Sequence, residues 1–177
     1  MELTLETPRL RVRPFRGEDE AALAEILGDP AVMAWIEPPY TPEQTRRFLA
    51  RAGLGEEKLI WAVLSRDAGR LVGQLIFHPW TGEAWELGWI LRPCCWGRGF
   101  ARELTAAALA WAAERRIPAV VLEHHPEQRA TACIARQFQF AYQGRSDGLE
   151  VWRRELSPAA GKGAREEYGT GLAGSDH

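Results

Sequence analysis

Residues 84–115 narrow the fold more than any other stretch of the chain. Ala84 to Leu91 alternates strictly, with Trp85, Leu87, Trp89 and Leu91 on one face and Ala84, Glu86, Gly88 and Ile90 on the other, which is the period of a strand. Pro93 closes that strand, and a glycine-bearing turn, Cys94-Cys95-Trp96-Gly97-Arg98-Gly99-Phe100-Ala101, leads into an Ala- and Leu-rich helix, Ala101 to Arg115, stopped by Pro118. Glycine allows a ligand to approach the backbone closely, and the unpaired amides of a first helical turn point toward an anion. Such a turn can hold a pyrophosphate.

The flanking segments supply a sheet and more helices. Leu10 to Phe15 alternates as a half-exposed strand, and a helix runs from Glu18 or Asp19 through Leu23, Ile26 and Leu27 to a stop at Gly28-Asp29-Pro30. Thr41-Pro42-Glu43-Gln44 is a capped helix start. Leu59 to Ser65 and Leu71 to Phe77 form a hairpin through Gly69, Ala119 to Leu122 a short strand, and Gln128 to Phe138 a helix. Phe140 to Gln143 and Glu150 to Leu156 close the chain as two strands around Gly144 to Gly148. The order is α/β without regular βαβ alternation. With 177 residues, 46% of them hydrophobic, one domain over 1–156 is expected. From Ser157 onward Pro, Gly and charge dominate without period, so 157–177 is expected to be a disordered tail.

Several function classes are disfavoured at once. A dinucleotide fingerprint needs a small residue where Arg102 stands, and a nucleoside-triphosphate loop needs Lys followed by Ser or Thr after the glycines. A net charge of -2 with no basic run argues against nucleic acid. Three cysteines, no apolar leader and no stretch of membrane-spanning length point to a reducing, cytoplasmic setting. Neither Cys94-Cys95 nor His124-His125 has the spacing of a metal site, and none is expected.

The motifs resemble the GNAT N-acetyltransferase superfamily, in particular its ribosomal-protein alanine N-acetyltransferase branch, over about residues 7 to 156. The resemblance rests on Thr7-Pro8-Arg9-Leu10-Arg11-Val12-Arg13-Pro14-Phe15, on Glu86-Leu87-Gly88-Trp89-Ile90-Leu91, and on Trp96-Gly97-Arg98-Gly99-Phe100-Ala101 with Glu103 after it. It implies a mixed, mostly antiparallel sheet flanked by helices, with a splayed central strand pair. It also implies acetyl-coenzyme A as cosubstrate and coenzyme A as product.

On that resemblance Trp96, Gly97, Arg98, Gly99, Phe100 and Ala101 hold the pyrophosphate, with Trp96 in the place of the family's usual Gln or Arg. The backbone near Ile90 and Leu91 pairs with the pantetheine arm, and Gln128 and Thr131 stand where the family has Asn and Ser. Gln139 replaces a glycine at the helix exit, so either the turn there differs or Gln139 takes a less common backbone conformation. Acetyl transfer needs a neutral amine, and Glu86 is the candidate base, with His78, Glu123 and His124 as candidate helpers. Ala135 occupies the place of a tyrosine acid and has no proton to donate. The acceptor is an amine, of a protein N-terminus or of a small molecule, and a homodimer is expected. The competing reading, carried by Ala135 and Gln128, is a noncatalytic acyl-coenzyme A-binding or protein-interaction module.

Overall fold

The computed structural model describes residues 3–156. Its strands are β1 (Leu5–Glu6), β2 (Leu10–Arg13), β3 (Ile60–Ser65), β4 (Leu71–Pro79), β5 (Ala84–Leu91), β6 (Ala119–His124), β7 (Ala141–Ser146) and β8 (Leu149–Glu155). Its helices are α1 (Glu20–Leu27), α2 (Pro30–Met33), α3 (Pro42–Ala52), α4 (Phe100–Glu114) and α5 (Arg129–Gln137). The strands form one sheet in the order β1-β2-β3-β4-β5-β6-β8-β7. Every neighbouring pair is antiparallel except β5 and β6.

That parallel pair is short. Only Ala84, Trp85 and Glu86 are in register with Ala119, Val120 and Val121. Beyond them β5 stays with β4 as far as Leu91 opposite Gly73, while β6 stays with β8 as far as His124 opposite Glu150. The sheet therefore splits along Leu87 to Leu91.

The alternation of β5 sorts its side chains between two cores. Leu87 and Leu91 pack with Leu104, Ala108, Trp111 and Ala112, the apolar stripe of α4. Ile90 packs on the opposite face with Leu23, Ile26 and Leu27 of α1 and Leu49 of α3. The helix starts follow their local chemistry: Thr41 Oγ1 accepts from Gln44 N while Gln44 Oε1 accepts from Thr41 N, closing the capping box of α3.

Three features depart from the sequence reading. The pair β1 was not anticipated, because two residues carry no period. Gly28-Asp29-Pro30 ends α1 but also starts α2, since Asp29 accepts from Ala31 N at 2.8 Å and Pro30 takes the first helical position. The first closing strand runs on to Ser146, past the expected Gln143, and the two strands turn at Asp147-Gly148 alone, both left-handed (φ 50° and 83°), the geometry of a two-residue hairpin. Of the two alternatives at the helix exit, Gln139 takes the less common backbone conformation, with φ 59°.

Gly73 sets how closely β4 meets β5 beside the split. A Cβ there would lie 2.2 Å from the Ile90 carbonyl oxygen and 3.0 Å from Leu91 Cα, both backbone atoms. Gly73→Ala is expected to lower stability by about 1–3 kcal/mol through overpacking, measured as a lower urea midpoint at unchanged slope.

Candidate active site

The turn before α4 is built to leave amides open. Gly97 and Gly99 both take left-handed angles, φ 68° and 79°, and Gly99 caps α4 without a side chain. The first bond of the helix runs from Glu103 N to Gly99 O at 3.0 Å. The amides of Phe100, Ala101 and Arg102 precede it and have no intrahelical partner. They add to the positive end of the helix dipole.

A cleft of about 600 Å³ opens in front of this turn and runs along the split in the sheet. Of the residues expected from sequence, Trp96, Gly97, Gly99, Phe100 and Ala101 line it from the turn, Ile90 and Leu91 from β5, and Gln128 and Thr131 from the start of α5. The end bonds Arg92 N to Val72 O and Trp80 N to Ala84 O fix the β4–β5 ladder. With that register the even-numbered residues of β5 bond to β4. Trp89 therefore presents its amide and carbonyl, and Leu91 its amide, to the gap, whereas the backbone of Ile90 faces β4. Trp89 is the open residue that the sequence reading passed over.

Three of the expected side chains are engaged elsewhere. Arg98 does not line the cleft: it lines a neighbouring cavity, with its guanidinium 5.1 Å from the centre of the Phe100 ring. Cation–π attraction and the backbone angles of the flanking glycines turn it away. Trp96 lines the cleft but spends its indole N–H on the Leu91 carbonyl at 2.9 Å, so it anchors the turn to β5. Gln128 Oε1 accepts from His125 N at 2.9 Å and thereby fixes the loop before α5.

Trp35 and Ile36, just after α2, line the same cleft and were missed. They are 49% and 43% exposed, unusual for large apolar residues outside a site. Trp35 stacks on His125 with ring centres 4.7 Å apart, which joins the α2 loop to the β6–α5 loop. An apolar Trp-Ile pair between two helices was the available signal.

Glu86 is the last β5 residue paired with β6, so it sits at the apex of the split. His78 lies opposite it on β4, with Nε2 3.0 Å from Glu86 Oε2 and Nδ1 2.8 Å from the Pro79 carbonyl. Both ring nitrogens thus face acceptors, an arrangement that favours the doubly protonated ring. Burial alone pushes the His78 pKa down, but Glu86 and the Pro79 carbonyl outweigh it and leave it raised. Glu123 shares the face of Glu86, because Val121 opposes Glu86 and Glu123 is two residues on. Burial, and then the charges of Glu86 and Asp147, hold its pKa above the usual carboxylate range. His124 lies on the other face, buried and stacked with Trp152. It is not part of this group.

Comparison with known proteins agrees with the geometry. A family model described as Acetyltransferase (GNAT) domain matches residues 9–141. An uncharacterised N-acetyltransferase of Bacillus subtilis (strain 168) is 32% identical over 107 residues, 59% of this chain and 62% of that protein. Among solved structures, a ribosomal L7/L12 alpha-N-protein acetyltransferase in complex with coenzyme A superposes with a TM-score of 0.75 at 18% identity, covering 89% of this chain and 100% of that one. A spermidine N-acetyltransferase from Vibrio cholerae, in complex with coenzyme A and spermine, gives 0.69 at 18% identity, covering 84% and 96%. At such identity the two structures share the fold.

The His78–Glu86 pair makes stability depend on pH in a set direction. A raised folded pKa means its contribution is full below the ordinary histidine value of about 6.5 and is lost as pH rises through the higher folded value. Urea unfolding between about pH 5 and 9 should show this decline in the parent protein and a flatter profile in His78→Gln.

Proposed function

The chain belongs to the acetyltransferase (GNAT) domain family, and on that premise we propose that it transfers the acetyl group of acetyl-coenzyme A to a primary amine, releasing coenzyme A. The observation that carries this reading is that the uncapped turn of α4 and the unpaired edge of β5 open into one cleft. Acetyl-coenzyme A supplies the activated thioester, on an amide-bearing arm that ends in a pyrophosphate. Gly97, Gly99, Phe100 and Ala101 suit the pyrophosphate through their backbone. Trp89 and Leu91 offer strand edges to the arm, and Gln128 and Thr131 form its opposite wall.

At the apex Glu86 takes the proton that the attacking ammonium must lose, directly or through one water. His78 orients the carboxylate from β4, with Nε2 against Glu86 and Nδ1 against the Pro79 carbonyl. Ala135 on α5 is fully buried and carries no donor, so the departing thiolate takes its proton from solvent. Glu86 and Glu123 favour a cationic acceptor, and the exposed Trp35 and Ile36 give its substituent an apolar surface. A peptide N-terminus is the acceptor class we favour, with small-molecule amines second. A reducing cytoplasm suits the three free cysteines.

Thiol release from acetyl-coenzyme A, measured over N-terminal peptides, polyamines and small amines, tests the reading. Turnover is expected on at least one class. In folded Glu86→Gln it should fall by roughly 10²–10⁴-fold, with coenzyme A affinity kept and the low-pH limb of the rate profile lost or displaced. Tight coenzyme A binding without thiol release on any amine would instead make the chain a noncatalytic acyl-coenzyme A-binding module.

A further inference from the structure

We propose that Arg9, held by Glu103, is a positioning residue for the pyrophosphate turn: from β2 side it sets the peptide between the two left-handed glycines so that the Gly99 amide faces the cofactor. The proposal rests on the coenzyme A reading above. Arg9 stands near the start of the chain and was part of an opening motif with no role of its own. Its guanidinium makes three kinds of contact at once. Nε and Nη2 each reach Glu103 Oε2 at 2.8 Å, Nη1 donates to the Arg98 carbonyl at 2.8 Å, and the group lies 4.5 Å from the centre of the Phe100 ring.

The Arg98 carbonyl is the contact that matters. A trans peptide is planar, with its C=O and N–H pointing in opposite directions. Fixing the Arg98 oxygen on the Arg9 side turns the Gly99 N–H to the other side, toward the cleft that Gly97, Gly99 and Ala101 line. The Arg98–Gly99 peptide turns about ψ of Arg98 and φ of Gly99, and Gly99, at φ 79° and lacking a Cβ, leaves that second angle free without the anchor. A flipped peptide would aim a carbonyl oxygen at a phosphate and lose a donor. Glycine serves here for its left-handed φ of 79° and not for room, since a Cβ on Gly99 would meet Arg9 Nη2 at 3.5 Å, an ordinary contact.

Glu103 explains why the anchor is an ion pair. A carboxylate in the first turn of α4 would compete with an incoming anion for the same field of amides. Here it is turned to the back of the turn, where Oε1 accepts from Thr7 Oγ1 and from Arg9 N. Together the pair is neutral, so it shapes the turn without adding charge to the cleft. A salt bridge whose arginine is 46% exposed is a poor source of stability, which agrees with a role in local geometry.

Calorimetry with coenzyme A, together with steady-state kinetics on acetyl-coenzyme A and on acetyl-pantetheine, which lacks the pyrophosphate, separates this from a structural role. Arg9→Met should weaken coenzyme A binding by about 10–100-fold, as expected for losing a charged hydrogen bond. It should raise KM for acetyl-coenzyme A with kcat unchanged and leave kcat/KM for acetyl-pantetheine at the parent value. Arg9→Lys, which keeps charge but cannot span Glu103 and the Arg98 carbonyl together, should fall between the two, and it decides the matter if Arg9→Met does not fold. Unchanged affinity in a folded variant, or an equal loss with both donors, overturns the proposal. A parent protein that binds coenzyme A but releases no thiol would overturn the transferase reading while the affinities still test Arg9; a parent that does not bind coenzyme A overturns both.

Discussion

The parting of β5 from β6 beyond Glu86 and Val121 is the constraint on which the rest of the structure depends. Each strand keeps its antiparallel neighbour for its full length, so neither can bend back to meet the other. The backbone groups of Trp89 and the Leu91 amide are left with water or a ligand as partner, while the Leu91 carbonyl accepts from the Trp96 indole. Unpaired strand groups are costly only when buried dry, and here they line an open cleft. The same geometry puts Glu86 at the apex, where the two strands still touch.

Around that split the chain divides its labour by face. One face of β5 is given to packing, with Leu87 and Leu91 against α4, so that the helix whose N-terminus points into the cleft is rigidly seated. The other face carries His78, Glu86 and Glu123. A net charge of -2 for the whole chain hides this arrangement. Positive potential comes from the helix amides at the turn, and the carboxylates of Glu86, paired with His78, and Glu123 lie where β5 and β6 still touch.

Trp35 and Arg98 mark where local reading was least informative. The loop carrying Trp35 gave no period to follow, and its stacking on His125 joins residues far apart in the chain. Arg98 sits in the most legible motif of the sequence, yet its side chain leaves the cleft. Its direction is set by Gly97, Gly99 and the Phe100 ring, and its carbonyl is held by a residue 89 positions away.

By itself the sequence determined the strand, the glycine turn and the helix of residues 84–115, the capping box of α3 and the two faces of β5. All of these follow from side-chain period, caps and the φ angles that glycine alone takes easily, and such forces act within a few residues. Only the tertiary structure decided where β5 and β6 part, that Trp89 and not Ile90 opens its backbone to the gap, and that His78 pairs with Glu86. Strand register and cross-strand pairing depend on which segments meet, and no short-range pattern along a chain encodes that meeting.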